Sequence, residues 1–220
     1  MAKLCSLIAF AFTFVFSLAY AADPDILDDF LVPPGVDPNT ITRQYFTYTG
    51  LRQFKTGKGN VNLTGETTVK IARVTKKVFP ALEGLGVSVF KRLYPPLSVN
   101  PPHYHPRAAE LIVVLDGPME VGFVDSTNKL FVQTLQQGDL FVVPKGLVHF
   151  EVYSQGATPQ DDCGGGGGGG AALAVFGSSN PGIVSLPTSL FQSGIKTEVL
   201  AKAFKIDEET VGKIMKANSK

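Results

Sequence analysis

This 220-residue chain predicts an all-β domain of short antiparallel strands, a small sandwich or barrel, followed by two short amphipathic helices. Three observations predict it. Brief apolar runs separated by turn signals recur every ~8–12 residues through the middle of the chain. Composition agrees: 23 glycines and 15 prolines accompany many Val, Phe and Thr residues, which suit turns and strands. Near the C-terminus the hydrophobic period then changes from that of a strand to that of a helix. The length suits a single domain with a substantial core.

Residues 1–21 stand apart from that domain. Lys3 provides a positive start, residues 7–18 an apolar stretch, and Ala19-Tyr20-Ala21 a small-residue cleavage site, the pattern of a secretory leader. A transmembrane anchor is the rival reading, but the apolar run is short for a bilayer and has no basic flank after it. Removal of the leader takes away Lys3 and Cys5 and leaves 19 basic against 19 acidic residues. With no basic stripe to neutralise phosphates, nucleic acid is an unfavourable partner. Cys163 is then the single cysteine, which rules out an internal disulfide and leaves an incidental thiol or an intermolecular link.

Residues 22–50 read as an extended arm, rich in Asp and Pro up to Thr40. The barrel is assigned to residues 51–192. Within it, Asn62-Leu63-Thr64 is a glycosylation sequon in a polar stretch that reads as exposed loop. Strands are expected at residues 87–93, 103–105, 111–115, 121–124, 130–135, 140–143, 148–153 and 172–176. Turns at Asp116-Gly117, residues 125–129, Gln137-Gly138-Asp139 and Pro144-Lys145-Gly146 punctuate them. Residues 156–170 are an inserted loop ending in seven consecutive glycines. A phosphate-binding loop is disfavoured there because no Lys-Ser/Thr pair follows, and a floppy hairpin insertion is expected instead. Residues 193–220 hold the helices: Val199, Leu200, Ala203 and Phe204 repeat at helical spacing, as do Val211, Ile214 and Met215 after Asp207, a good N-cap.

The chemistry-bearing residues are few. All three histidines, His103, His105 and His149, fall within 47 residues, and Glu110 lies close after the first two. Residues two apart in a strand share a face, so His103 and His105 can aim at one point. Glu110 is an odd number of positions beyond His105 and needs a bend, for which Pro106 and Arg107 are suited. A carboxylate opening the apolar run 111–115 would be costly if buried unpaired, and a cation removes that cost. His149 sits in another strand that sheet pairing can bring alongside. Three imidazoles and one carboxylate suit Mn, Fe, Zn or Cu by ligand type, and open coordination positions imply small-molecule chemistry.

These residues carry a resemblance to the germin-like proteins of the cupin superfamily. The first motif of that family, His-x-His, four residues, Glu, six residues, Gly, matches His103, His105, Glu110 and Gly117. Its second, Gly, five residues, Pro-x-Gly, two residues, His, matches Gly138, Pro144, Gly146 and His149. Asn100-Pro101-Pro102-His103, Pro106-Arg107-Ala108, the leader, Asp23-Pro24-Asp25 and Leu200-Ala201-Lys202-Ala203-Phe204 extend the likeness over essentially the whole chain. The resemblance implies a jelly-roll-like cupin β-barrel holding one manganese ion per subunit through His103, His105, Glu110 and His149. It also implies secretion to the plant extracellular matrix and a homohexamer, a trimer of dimers clasped by the C-terminal helices. Family activities are oxalate oxidase and superoxide dismutase, and other members act in defence without a settled activity. Three departures are visible. The arm has no cysteine at Phe30-Leu31-Val32-Pro33, so it lacks a disulfide that can contribute ~2–4 kcal/mol. Of two asparagines that oxalate oxidases place by the metal, Asn100 matches one, but Phe90 fills the other position. Tyr153 stands where the family commonly has Asn. Superoxide dismutation is therefore the expected activity, ahead of oxalate oxidation or a non-catalytic wall or receptor-like binding role.

Overall fold

The computed structural model describes residues 23, 26–54, 63, 68–154 and 169–219. The expected leader (residues 1–21), Asn62, Cys163 and most of the glycine run lie outside the described residues. Among the described residues, ten strands form two five-stranded antiparallel sheets: β1 (Lys70–Val74), β2 (Ser88–Tyr94), β3 (Ser98–Tyr104), β4 (Glu110–Asp116), β5 (Met119–Val124), β6 (Leu130–Leu135), β7 (Leu140–Val143), β8 (Val148–Tyr153), β9 (Gly170–Phe176) and β10 (Val184–Ser185). One sheet runs β1-β2-β9-β4-β7 and the other β10-β3-β8-β5-β6. This is the expected all-β barrel. Three helices follow: α1 (Leu186–Phe191), α2 (Thr197–Phe204) and α3 (Glu208–Asn218).

Alternation along each strand decides what enters the barrel. Strand β4 buries Glu110, Ile112 and Val114, and β9 buries Ala172, Ala174 and Phe176. From the opposing sheet, β5 buries Met119 and Val121, and β8 buries His149, Glu151 and Tyr153. Ile112, Val114, Met119, Val121, Tyr94 and Tyr153 belong to one continuous apolar cluster. Burial of a side chain such as Ile112 contributes ~1.5–3 kcal/mol. This cluster fills one end of the barrel and gives a rigid base on which the polar end is built.

Besides the two-residue strand β10, which no apolar run announces, the structure differs from the expectation in four places. Strand β1 precedes the first expected strand; its sequence Lys-Ile-Ala-Arg-Val alternates, but only Val74 is buried, so its apolar signal is weak. Strand β3 begins at Ser98 rather than His103 and runs through Pro101 and Pro102, with a register irregularity between Asn100 and His103. Prolines are tolerated at such bulges because no ladder N–H is needed there. Strands β8 and β9 belong to different sheets, so the glycine-rich connection passes between sheets instead of closing a hairpin. Its last residue, Gly170, is already part of β9, where an added Cβ would come within 2.6 Å of the Tyr153 ring. Finally, α1 was not anticipated: Pro187 stands in its first turn, where a missing N–H costs nothing.

The last two helices pack through Leu200, Ala201 and Val211, joined by Phe191 of α1 and Met215. Asp207 caps α3: its carboxylate accepts from the Thr210 backbone N–H at 2.8 Å and from the Thr210 hydroxyl at 2.8 Å. These bonds hold the Asp207 carboxyl below its ordinary range. Asp207→Ala is expected to lower stability by removing the N-cap, measured as a reduced urea midpoint.

Candidate metal centre

The site is built at the polar end of the barrel, from both sheets. His103 on β3 and His149 on β8 are direct partners in the ladder. The irregularity at Pro101-Pro102 lets Asn100 and His103, three residues apart, both face inward. After His105 the chain bends at Pro106-Arg107, and this bend is fastened. The Arg107 backbone N–H donates to the Pro181 carbonyl at 3.2 Å, and its Nε to the Asn180 carbonyl at 2.6 Å. Glu110 then opens β4 in the opposite sheet. The turn before β8 is tied to the same place, because the Gly146 N–H donates to the His105 carbonyl at 3.2 Å. Gly146 has φ +78°, a conformation that favours glycine.

The four candidate ligands, His103, His105, Glu110 and His149, each present one donor atom, and these atoms all lie within 4.8 Å of one another. Every one is buried, with exposures of 1–2%. Each imidazole is oriented from behind. Nδ1 of His103 donates to the Pro101 carbonyl at 2.9 Å and that of His149 to the Leu147 carbonyl at 3.0 Å. Nδ1 of His105 donates to the Gly182 carbonyl. Gly182 has φ +69°, and a Cβ there would lie 2.7 Å from the Arg107 guanidinium, so the position calls for glycine. With Nδ1 protonated, each neutral ring turns a bare Nε2 lone pair inward.

That convergence suits a cation. All three Nε2 atoms are buried without a hydrogen-bond partner. Two of them face Glu110 Oε2, His105 at 3.1 Å and His149 at 3.0 Å. Lone pair against lone pair at that distance is repulsive unless a proton or a metal ion lies between. Charge gives the same answer. Arg92, fully buried on β2, faces Glu110 at 2.7 Å and Glu151 at 2.5 Å, so one guanidinium serves two carboxylates and a negative charge remains. A divalent ion satisfies the nitrogens and the charge together. The donor set of three imidazole nitrogens and one carboxylate oxygen fits a first-row transition metal. This buried cluster suggests a metal ion.

Protonation follows from the same geometry. Burial, reinforced by His149 and Arg92, pushes His103 down to about 2 and so favours its neutral form. Burial alone would also depress His149, but the Glu110 carboxylate facing it at 3.0 Å outweighs this and raises His149 above its ordinary value. Glu110 itself would be raised by burial, yet Arg92 and the two imidazoles hold it well below the usual carboxylate range. Metal uptake must displace the proton that His149 keeps to higher pH. The apparent affinity for an added divalent transition-metal ion is therefore expected to be highest above the raised His149 value and to fall as pH drops through it. Calorimetric titration across pH, with proton release read from two buffers, checks this.

Around the ligands the lining divides. Phe176 lies 4.6 Å from the His105 ring and Phe90 6.1 Å from it, the two phenyl rings being 4.5 Å apart. Phe90 thus presents an apolar ring beside the cluster. Asn100 is buried near it, but its Nδ2 donates to Glu151 Oε2 at 2.5 Å. Sequence reasoning overlooked Arg92 and Glu151. The available signal was a charge at an inward position of an alternating strand: Phe90-x-Arg92-x-Tyr94 on β2 and His149-x-Glu151-x-Tyr153 on β8.

Comparison with known proteins agrees with this architecture. The Cupin family model matches residues 59–212. Germin-like protein 9-3 of Oryza sativa subsp. japonica is 42% identical over 203 residues, spanning 90% of this chain and 87% of the relative. Germin-like protein subfamily 3 member 2 of Arabidopsis thaliana is 34% identical over 212 residues, spanning 89% and 86%. Among solved structures, an oxalate oxidase superposes with a TM-score of 0.76 at 29% identity, covering 90% of this chain and 98% of its own. The coconut allergen cocosin, 17% identical, shares the fold with a TM-score of 0.59 over 69% of this chain and 36% of its own. The matched span and the likeness over nine-tenths of the sequence place the chain among the germin-like proteins of the cupin superfamily.

Proposed function

We propose that this protein is a secreted manganese cupin of the plant apoplast that dismutates superoxide and serves in defence. The observation that carries it is the convergence of three buried, unpartnered Nε2 atoms and Glu110 on one point. His103, His105, Glu110 and His149 would hold one Mn²⁺ per subunit. Bound manganese supplies one-electron chemistry by alternating between two oxidation states, and its potential is tuned by the ligands and their supports. The protein's own part is to fix the imidazoles through Nδ1 and to wall the site with Phe90 and Phe176. A diatomic radical anion needs no dedicated side chain there, so the apolar wall does not oppose it.

Oxalate oxidation is the weaker reading. A dianion calls for polar contacts, and losing one is costly where specificity depends on it. Phe90 offers no donor, and the Asn100 amide turns one N–H to Glu151. A non-catalytic role as a wall or receptor-like binder is the third reading. The assembly we propose is a hexamer, a trimer of dimers. Exposed Leu130, Phe131, Val132, Leu140 and Val142 on β6 and β7, and Val199 and Phe204 on α2, support it as surface in need of cover. Export through the 1–21 leader and a glycan on Asn62 belong to the same proposal.

Superoxide consumption by the Mn-loaded protein, compared with the same concentration of free Mn²⁺, tests the reading. Activity well above free Mn²⁺, with no peroxide formed from oxalate, is expected. A fully loaded protein inert toward superoxide overturns the dismutase assignment in favour of a binder, and peroxide from oxalate overturns the order of the two activities.

A further inference from the structure

Arg92 and Glu151 form a buried ion pair inside the barrel that none of the four-ligand chemistry requires. Both side chains are fully buried. Such pairs are costly to desolvate and are often replaceable by apolar residues without loss of stability, so stability alone does not account for one. Its placement does. Arg92 Nη1 lies 2.7 Å from Glu110 Oε1, close but not aligned as a hydrogen bond, while Glu110 Oε2 faces the His105 and His149 nitrogens at 3.1 and 3.0 Å. The two carboxylate oxygens are thereby given different partners.

The guanidinium is itself anchored. Nη1 donates to Glu151 Oε1 at 2.5 Å, and the other oxygen of Glu151 accepts from Asn100 Nδ2 at 2.5 Å. Asn100 and Glu151 are ladder partners on β3 and β8, so this brace rests on the same two strands that carry His103 and His149. Strand β9 separates β2 from β4, and its inward residues Ala172 and Ala174 are small enough to leave Arg92 a path toward Glu110. Because Arg92 and Glu151 carry opposite charges, the pair orients Glu110 without changing the net charge of the site.

We propose that Arg92, braced by Glu151 and Asn100, is a positioning residue: it holds Oε1 of Glu110 and presents Oε2 to the imidazole cluster. The inference rests on the metal-binding reading above. It makes the site a set of four ligands plus a three-residue support for the one carboxylate. A supporting partner of this kind typically alters metal affinity ~10–100-fold when removed.

The test uses R92M/E151Q in the full-length protein, because R92M alone strands a buried Glu151. Methionine fills the arginine stem, and glutamine keeps an oxygen for Asn100. The melting temperature of the metal-free variant is expected to match or exceed that of the parent, while Mn²⁺ affinity falls ~10–100-fold and the EPR line shape of bound Mn²⁺ changes. Unchanged or tighter Mn²⁺ binding with an unchanged line shape overturns the inference and leaves the metal reading intact. Weaker binding with a lowered melting temperature and an intact line shape marks Arg92 as merely structural, and also overturns it. Failure of the parent protein to bind Mn²⁺ removes the metal reading and this inference together.

Discussion

His149→Ala is expected to reduce bound metal from one ion per chain to background. Its Nε2 is one of the three inward nitrogens, and its ladder partner is His103, so its loss opens the cluster at the centre. Loss of an outer partner of a ligand typically costs ~10–100-fold in affinity, and loss of a ligand itself should exceed that. The protein should still fold, because the main apolar cluster around Ile112, Val121 and Tyr153 is separate from the ligands. A ligand at a thousandfold excess over its dissociation constant stabilises a fold by ~4 kcal/mol. Added Mn²⁺ should therefore raise the melting temperature of the parent protein and leave that of His149→Ala unmoved. Metal analysis with paired thermal melts checks both statements.

Arg92→Met carries the second large effect, on stability. The substitution strips the positive partner from Glu151, and in the metal-free protein also from Glu110, both buried. Breaking a buried pair on one side typically costs ~3–5 kcal/mol, because the remaining charge has no compensation. Burial already raises Glu151 despite the presence of Arg92, so without Arg92 it should fold in its protonated form. The stability loss should accordingly shrink at low pH, where Glu151 can take up a proton at little cost, and be largest at neutral pH. The double variant R92M/E151Q should return to the parent's stability or exceed it. Urea unfolding of parent, single and double variants, metal-free and at two pH values, gives the coupling directly.

The buried cluster of candidate ligands was legible because histidine is scarce and chemically distinctive here. His103 and His105 share a face by strand periodicity, and the Pro106-Arg107 bend explains how Glu110 joins them. Strands β4 to β8 were legible because apolar runs and polar turns alternate cleanly from Glu110 to Tyr153. What escaped notice has physical reasons. Strand β1 carries Lys70 and Arg73 on a half-exposed edge, which dilutes its pattern. The start of β3 was hidden by two prolines, which argue against a strand unless a bulge is known to be there. The Arg92–Glu151 pair was invisible because a charge on an alternating strand is ordinarily solvent-facing, and only the sheet pairing shows both turned inward. The link from β8 to β9 looked like a hairpin because sequence order gives no hint that consecutive strands change sheets.

Elemental analysis of the purified native protein tests the central claim most directly. The account predicts one transition-metal ion per chain, manganese foremost, that is released by acid and rebound at neutral pH. A folded protein that holds no such ion, and takes none up when Mn²⁺, Fe²⁺, Zn²⁺ or Cu²⁺ is supplied, would contradict it.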